Sequence, residues 1–188
     1  MREHLVMEND RLRLQLDTAT LSVTIEDKSF AGGEMWRSKG LIELQYGEYV
    51  FNLAEHCRVK IKAGKKIINL AFSNMDYYAR FKGHYYKKPE NGPDIRLHAS
   101  IILNSDNIEF KVDEIENLDE EGCVISFPDG LMDFNSGSQT RIVFPSGYGM
   151  MYEFPREDFF MFNQEYGTFS FNMPICGIFR KTSALCAY

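Results

Sequence analysis

Residues 141–154 read RIVFPSGYGMMYEF. Ile142, Val143 and Phe144 form a short apolar run that stops at Pro145. Ser146, Gly147 and Gly149 supply a turn, and Met150, Met151, Tyr152 and Phe154 begin a second apolar, aromatic run. Proline lacks the N–H that a central ladder needs, and glycine reaches positive φ without strain, so the stretch reads as strand, turn, strand. The pattern repeats on both sides. Residues 123–127 (CVISF) run into Pro128-Asp129-Gly130, and residues 172–179 (NMPICGIF) carry Pro174 and Gly177. Apolar runs punctuated by Pro and Gly, with no helix between them, predict an all-β sandwich.

Upstream, residues 11–16 and 21–25 alternate cleanly. Leu12, Leu14 and Leu16 face one way in the first, and Leu21, Val23 and Ile25 in the second, as in a hairpin with one buried face. Residues 34–37 and 41–46 read as short strands, the first carrying the only Trp. Cys57, Val59, Ile61 and Ala63 alternate before Gly64-Lys65-Lys66 turns the chain, and residues 67–72 return. Residues 77–82 form another strand. Residues 83–94 (GHYYKKPENGPD), with two Pro and two Gly, read as an exposed loop. Ile95, Leu97, Ala99, Ile101 and Leu103 give the longest strict alternation, answered across residues 104–107 by Ile108, Phe110 and Val112. The alternation slips at Asp113-Glu114-Ile115, which predicts a β-bulge. Residues 155–166 (PREDFFMFNQEY) are the one helical candidate, with a covering loop as the alternative. Phe169 and Phe171 alternate in a strand, and residues 175–179 and 184–188 predict a final hairpin.

The 188 residues suit one domain, and 44% hydrophobic residues with 14% aromatics provide for a large core. A net charge of −6 disfavours nucleic acid as a partner. Lys60, Lys62, Lys65 and Lys66, and Lys87-Lys88, read as solvated hairpin edges. Cys57, Cys123, Cys176 and Cys186 show no CxxC spacing, so buried free thiols are expected and no metal site. No leader peptide or membrane span is visible, which favours the cytoplasm, with secretion as the alternative. The chain stops inside an apolar strand at 184–188, so a longer protein continuing past Tyr188 is expected.

Several of these units resemble a known family. Residues 14–38 (LQLDTATLSVTIEDKSFAGGEMWRS), with Asp27-Lys28, Gly32-Gly33 and Trp36, resemble the opening of the N-terminal β-domains of multidomain glycoside hydrolases. Residues 110–130 (FKVDEIENLDEEGCVISFPDG) are similar to a passage of galactose-mutarotase-like supersandwiches, through Asn117, Phe127 and Pro128. Residues 143–152 and 173–188 resemble two further strand pairs of those domains. The resemblance implies an antiparallel β-supersandwich with at most one short helix. It also implies a parent enzyme of the endo-α-N-acetylgalactosaminidase-like or a related hydrolase family. The catalytic carboxylates of such an enzyme lie in a (β/α)8 barrel that this domain packs on.

No catalytic residues, cofactor or metal are expected within residues 1–188. Stand-alone aldose epimerases use two His and a Glu, and His4, His56, His84 and His98 lack that family's context. Asp113, Glu114, Glu116, Asp119, Glu120 and Glu121 follow one strand and turn, whereas glycoside hydrolysis needs two carboxyls facing each other. They read as a solvated acidic edge, and they lack EF-hand spacing. Sugar recognition needs aromatic faces and hydroxyl partners. Tyr77, Tyr78, Tyr85 and Tyr86 with Asn91 and Asp94 are the candidates, Tyr85-Tyr86 standing open between covering the core and binding a ligand. Trp36 is a second candidate for which core packing is the simpler reading. The expected function is a non-catalytic accessory domain that contacts carbohydrate. An epimerase-like enzyme is the alternative, or a structural interface domain presenting Phe159, Phe160 and Phe162.

Overall fold

The computed structural model describes residues 4–29, 35–46, 49–52, 57–76, 78–81, 84–87, 94–118, 123–131, 141–144, 150–153, 176–179 and 184–187. These form strands and turns and contain no helix. In chain order the strands are β1 (His4–Glu8), β2 (Leu12–Asp17), β3 (Val23–Asp27), β4 (Trp36–Arg37), β5 (Glu43–Tyr46) and β6 (Tyr49–Asn52). Next come β7 (Arg58–Ala63), β8 (Ile67–Ser73), β9 (Tyr78–Phe81), β10 (His84–Lys87), β11 (Arg96–Leu103) and β12 (Ile108–Glu116). The remainder are β13 (Cys123–Ser126), β14 (Arg141–Phe144), β15 (Met150–Glu153), β16 (Cys176–Phe179) and β17 (Ala184–Ala187). Every pairing among them is antiparallel. The protein is therefore all-β, as the Pro/Gly-punctuated runs predict. The helical candidate at 155–166, the strand expected around Phe169 and Phe171, and Phe159, Phe160 and Phe162 lie outside the described residues.

The chain divides into two compact units. The first, Met1–Ala31 with Met35–Leu131, holds three sheets, ordered β1-β2-β3-β4, β10-β9-β6-β5-β13 and β12-β11-β8-β7. The second, Gly32–Glu34 with Met132–Tyr188, holds the sheet β15-β14-β16-β17. The RIVF and MMYE runs do pair as β14 and β15, and β16 and β17 form the last hairpin. In that sheet Ile178 is buried, and its register partners are Ile142 on β14 and Leu185 on β17.

The β7–β8–β11–β12 sheet shows why alternation decides the fold. Register sets Val59, Phe72, Leu97 and Ile115 in one row across four strands, and Ile61, Leu70, Ala99 and Val112 in the next. Ala63, Ile68, Ile101 and Phe110 make a third. On the central strands β8 and β11 these side chains are all buried. The other face carries Lys60, Ala71, His98 and Glu114 in register, and Lys62, Asn69, Ser100 and Lys111. The register of β12 shifts between His98 and Ala99, leaving Asp113 as the extra residue, at the site of the expected bulge.

The β1–β4 sheet is one-sided in the same way, with Met7, Leu14, Ile25 and Trp36 buried in one row. Its β2–β3 turn is closed by Asp17, whose Oδ1 accepts from the amides of Ala19 at 2.8 Å and Thr20 at 3.1 Å. Leu21 follows at φ 51°, a left-handed conformation that costs an ordinary residue roughly 1–2 kcal/mol. The conformation brings its side chain into the core, where it is 1% exposed. Burial of a leucine is worth about 1.5–3 kcal/mol, enough to offset that strain.

Three links tie the sheets of the first unit. Asn9 Nδ2 donates to the Asn104 carbonyl at 2.6 Å, joining the β1–β2 turn to the β11–β12 turn. Asn9 Oδ1 also accepts from Arg11 N and Leu12 N, and its carbonyl accepts from Lys28 Nζ. Phe110 on β12 meets Phe127, just after β13, edge to face with centroids 5.2 Å apart. Lys39 N donates to Asp129 O at 2.9 Å and Asp129 N to Leu41 O at 3.1 Å, so the 128–131 turn pairs with the chain after β4. Gly130 in that turn has φ 66°.

Replacement of Asn9 by Ala removes the two inter-sheet bonds from Nδ2 to the Asn104 and Ser105 carbonyls and two turn-closing acceptor contacts. It should lower unfolding free energy by about 1–3 kcal/mol in urea titration, with an unchanged m-value. Asp27 gives a pH test. The Ser29 hydroxyl holds its carboxyl below the ordinary 3.8; burial, the next largest effect, opposes this, and the Ser29 amide and Arg11 add to the lowering. Because the folded value is depressed, the contribution is complete above pH 3.8 and is lost as pH falls through the folded value. An Asp27→Asn variant should show a shallower acid limb in stability against pH, and the same limb in both proteins refutes this.

Candidate functional site

The β5–β6 hairpin has only residues 47 and 48 between its strands, so Tyr46 and Tyr49 stand directly opposite each other. Directly opposed residues on adjacent strands have Cβ atoms about 4.5–5.5 Å apart, within reach of one another for aromatic rings. The row extends both ways. Cys123 on β13 pairs with Tyr46, Ala79 on β9 pairs with Tyr49, and Tyr86 on β10 pairs with Ala79. One line of register positions therefore runs Cys123, Tyr46, Tyr49, Ala79, Tyr86 across five strands. The next row inward is Ile125, Leu44 and Phe51, of which Leu44 and Phe51 are wholly buried. Tyr46 and Tyr49 are half-buried at the rim of that core. A half-buried tyrosine combines an apolar ring with a polar tip, the combination that sugar rings and their hydroxyls require.

The sequence expectation placed Tyr85 and Tyr86 in a loop, and the structure corrects this. His84-Tyr85-Tyr86-Lys87 is an edge strand paired with β9, with Tyr85 opposite Arg80 and Tyr86 opposite Ala79. Adjacent aromatic residues favour a pleated strand, and the Pro and Gly of this segment fall at 83, 89, 92 and 93, on either side of it. Tyr78 is half-buried on β9, while Tyr77 and Asn91 lie outside the described residues. Asp94 stands apart from the tyrosine row, at the start of β11. Its carboxylate lies 3.2 Å from Arg96 Nη2, and its carbonyl accepts from Asn117 Nδ2 at 2.8 Å. Trp36 is 4% exposed in the core of the β1–β4 sheet, so its ring is packed rather than open. Tyr46 and Tyr49 escape sequence reasoning. The signal that could have found them is the Gly47-Glu48 pair between two aromatic runs, the pattern of a two-residue hairpin.

Other titratable groups are dispersed. His4, His84 and His98 lie on three different sheets, and His56 falls outside the described residues. On β12, Asp113 lies 3.0 Å from Lys111, Glu114 3.6 Å from His98 and Glu116 3.5 Å from Arg96. These carboxylates follow one another along one strand, and Asp119, Glu120 and Glu121 are outside the described residues. Among the described residues no three His, Cys, Asp or Glu side chains cluster as a metal site would require. None of the described helices could cross a membrane, there being no helix among these residues.

No family model and no characterised protein matches this sequence. The thiols add a constraint of their own. Cys57, Cys123 and Cys186 form no disulfide. Burial pushes the Cys57 thiol up to about 12 and raises that of Cys123 as well. A thiol raised this far holds almost no thiolate at neutral pH, so Cys57 is not a nucleophile. Cys186 on β17 is exposed. A short iodoacetamide pulse at about pH 8 should label Cys186 and leave Cys57 unmodified until the protein is denatured. Peptide mapping that finds Cys57 alkylated in native protein would contradict this packing.

Proposed function

We propose that this chain is a non-catalytic accessory β-domain of a carbohydrate-active enzyme, a glycoside hydrolase. In this reading it packs on a catalytic barrel and presents an aromatic sheet surface to glycan. The observation that carries it is the tyrosine row, which brings Tyr46, Tyr49 and the register position of Tyr86 into one line across the β5–β6–β9–β10 strands. Sugars present an apolar C–H face and equatorial hydroxyls, and the half-buried phenols of Tyr46 and Tyr49 answer both.

The residues that carry the family resemblance support the reading through the work they do. Asp27 accepts from the Ser29 hydroxyl and amide at the end of β3. Asn117 takes φ 62°, which asparagine tolerates, and closes the β11–β12 end by donating to Asp94 O. Phe127 packs on Phe110, and the cis Phe127–Pro128 bond leads into the turn at Asp129-Gly130. The supersandwich arrangement and the barrel partner come from the resemblance alone. The non-catalytic assignment draws on the acids of β12, which run along one strand beside cations instead of facing each other across a cleft.

Calorimetric titration with a panel of neutral oligosaccharides tests the reading. Tyr86→Ala should weaken binding about 3- to 10-fold, the size of one lost aromatic contact near 1 kcal/mol. Tyr85→Ala, in the neighbouring register row, should change it less. Equal affinities for both variants and the parent would remove β10 from the site, and no binding by any glycan would end the proposal.

A further inference from the structure

β7 is an edge strand of the β12-β11-β8-β7 sheet. Arg58, Lys60 and Lys62 occupy alternate positions on it, all exposed, with about 6.8 Å between successive residues of one face. Lys65 and Lys66, also exposed, continue the line into the β7–β8 turn. Five cations thus fall within nine residues of a chain whose net charge is −6.

No acid answers them across the sheet. Their register partners on β8 are Ser73, Ala71 and Asn69, and the next positions on β11 are His98 and Ser100. The carboxylates of the same face, Glu109, Glu114 and Glu116, stand on β12. Three strand spacings separate β12 from β7, roughly 14 Å, beyond the roughly 8 Å over which charge is felt at physiological salt. Glu114 and Glu116 are moreover engaged by His98 and Arg96. Among the described residues none of the five cations forms an ion pair. Elsewhere the protein does pair its surface charge: Arg11 with Asp27, Arg13 and Lys28 with Glu8, and Lys111 with Asp113.

We infer that the Arg58–Lys60–Lys62 strip, prolonged by Lys65 and Lys66, is a binding site for a linear anionic polysaccharide carrying carboxylate or sulfate groups. Nucleic acid fits less well. The positions in register with the strip on β8 and β11 carry no Phe, Tyr or Trp on which successive bases could stack. The choice of a sugar polymer rests on the proposed carbohydrate role, whereas the strip itself does not.

The test is calorimetry on the full chain at low and physiological salt, with heparin, polygalacturonate, single-stranded DNA and a neutral oligosaccharide as probes. Heparin or polygalacturonate should bind, with affinity falling steeply as salt rises. The charge reversal Lys60→Glu/Lys62→Glu should weaken that binding at least tenfold, and Lys65→Ala/Lys66→Ala should weaken it by a smaller factor. Neutral-oligosaccharide binding should be unchanged in both variants, which separates this site from the tyrosine row. Failure of both anionic polymers to bind, binding unaffected by either variant, or tighter binding of the DNA would each overturn the inference.

Discussion

The structure depends on one constraint, the register of β11 against its two neighbours. Leu97, Ala99 and Ile101 must oppose Phe72, Leu70 and Ile68 on one side and Ile115, Val112 and Phe110 on the other. Side chains alternate with a period of two, so a slip by one residue would carry a whole row from core to water. The bulge at Asp113 follows from this constraint. Continued alternation past Val112 would turn Glu114 and Glu116 inward and Ile115 outward. Burying an unpaired carboxylate costs several kilocalories, far more than one unpaired strand residue. The extra residue restores Ile115 to the core row and returns both glutamates to the outer face, where His98 and Arg96 meet them.

Apart from the Phe110–Phe127 contact, the remaining ties in the first unit are polar, and they act on turns rather than on strands. Asn9 uses every polar group of its side chain and its carbonyl as well. The Asp129 backbone serves the segment after β4 as a short piece of ladder. Ser38 works similarly, its hydroxyl accepting from Val23 N while its own amide donates to Val23 O, so a buried polar residue is paired twice with one strand. Buried apolar rows specify which strands pair, and these hydrogen bonds specify where one sheet ends against the next.

This division explains what could be read from the sequence. Strands whose buried and exposed residues alternate strictly were legible: β2, β3, β7, β8, β11 and β12, and even the bulge. β1 was not, because it is an edge strand with only Met7 fully buried. β6 was not, because Val50 and Phe51 are buried in succession and a four-residue strand then shows no period. β10 was hidden by the Pro and Gly that follow it. The tyrosine row was illegible for a different reason. Its members come from two hairpins and from β13, far along the chain, and long-range pairing leaves no local trace. Trp36, by contrast, behaves as composition suggests, since a large apolar ring beside alternating leucines belongs in the core.

The two surfaces singled out differ in how they would bind. Tyr46 and Tyr49 belong to the same face as Leu44 and Phe51, so packing already restricts their rings, and a ligand laid on them orders little that is not ordered beforehand. Affinity there depends on shape and on desolvation and should vary little with salt. The cations of β7 are long, exposed side chains that lose rotamer freedom on each contact, so a pair formed by any one of them contributes little. Their strength lies in number and spacing, which attract a chain of like-spaced anions over a distance and then release it readily.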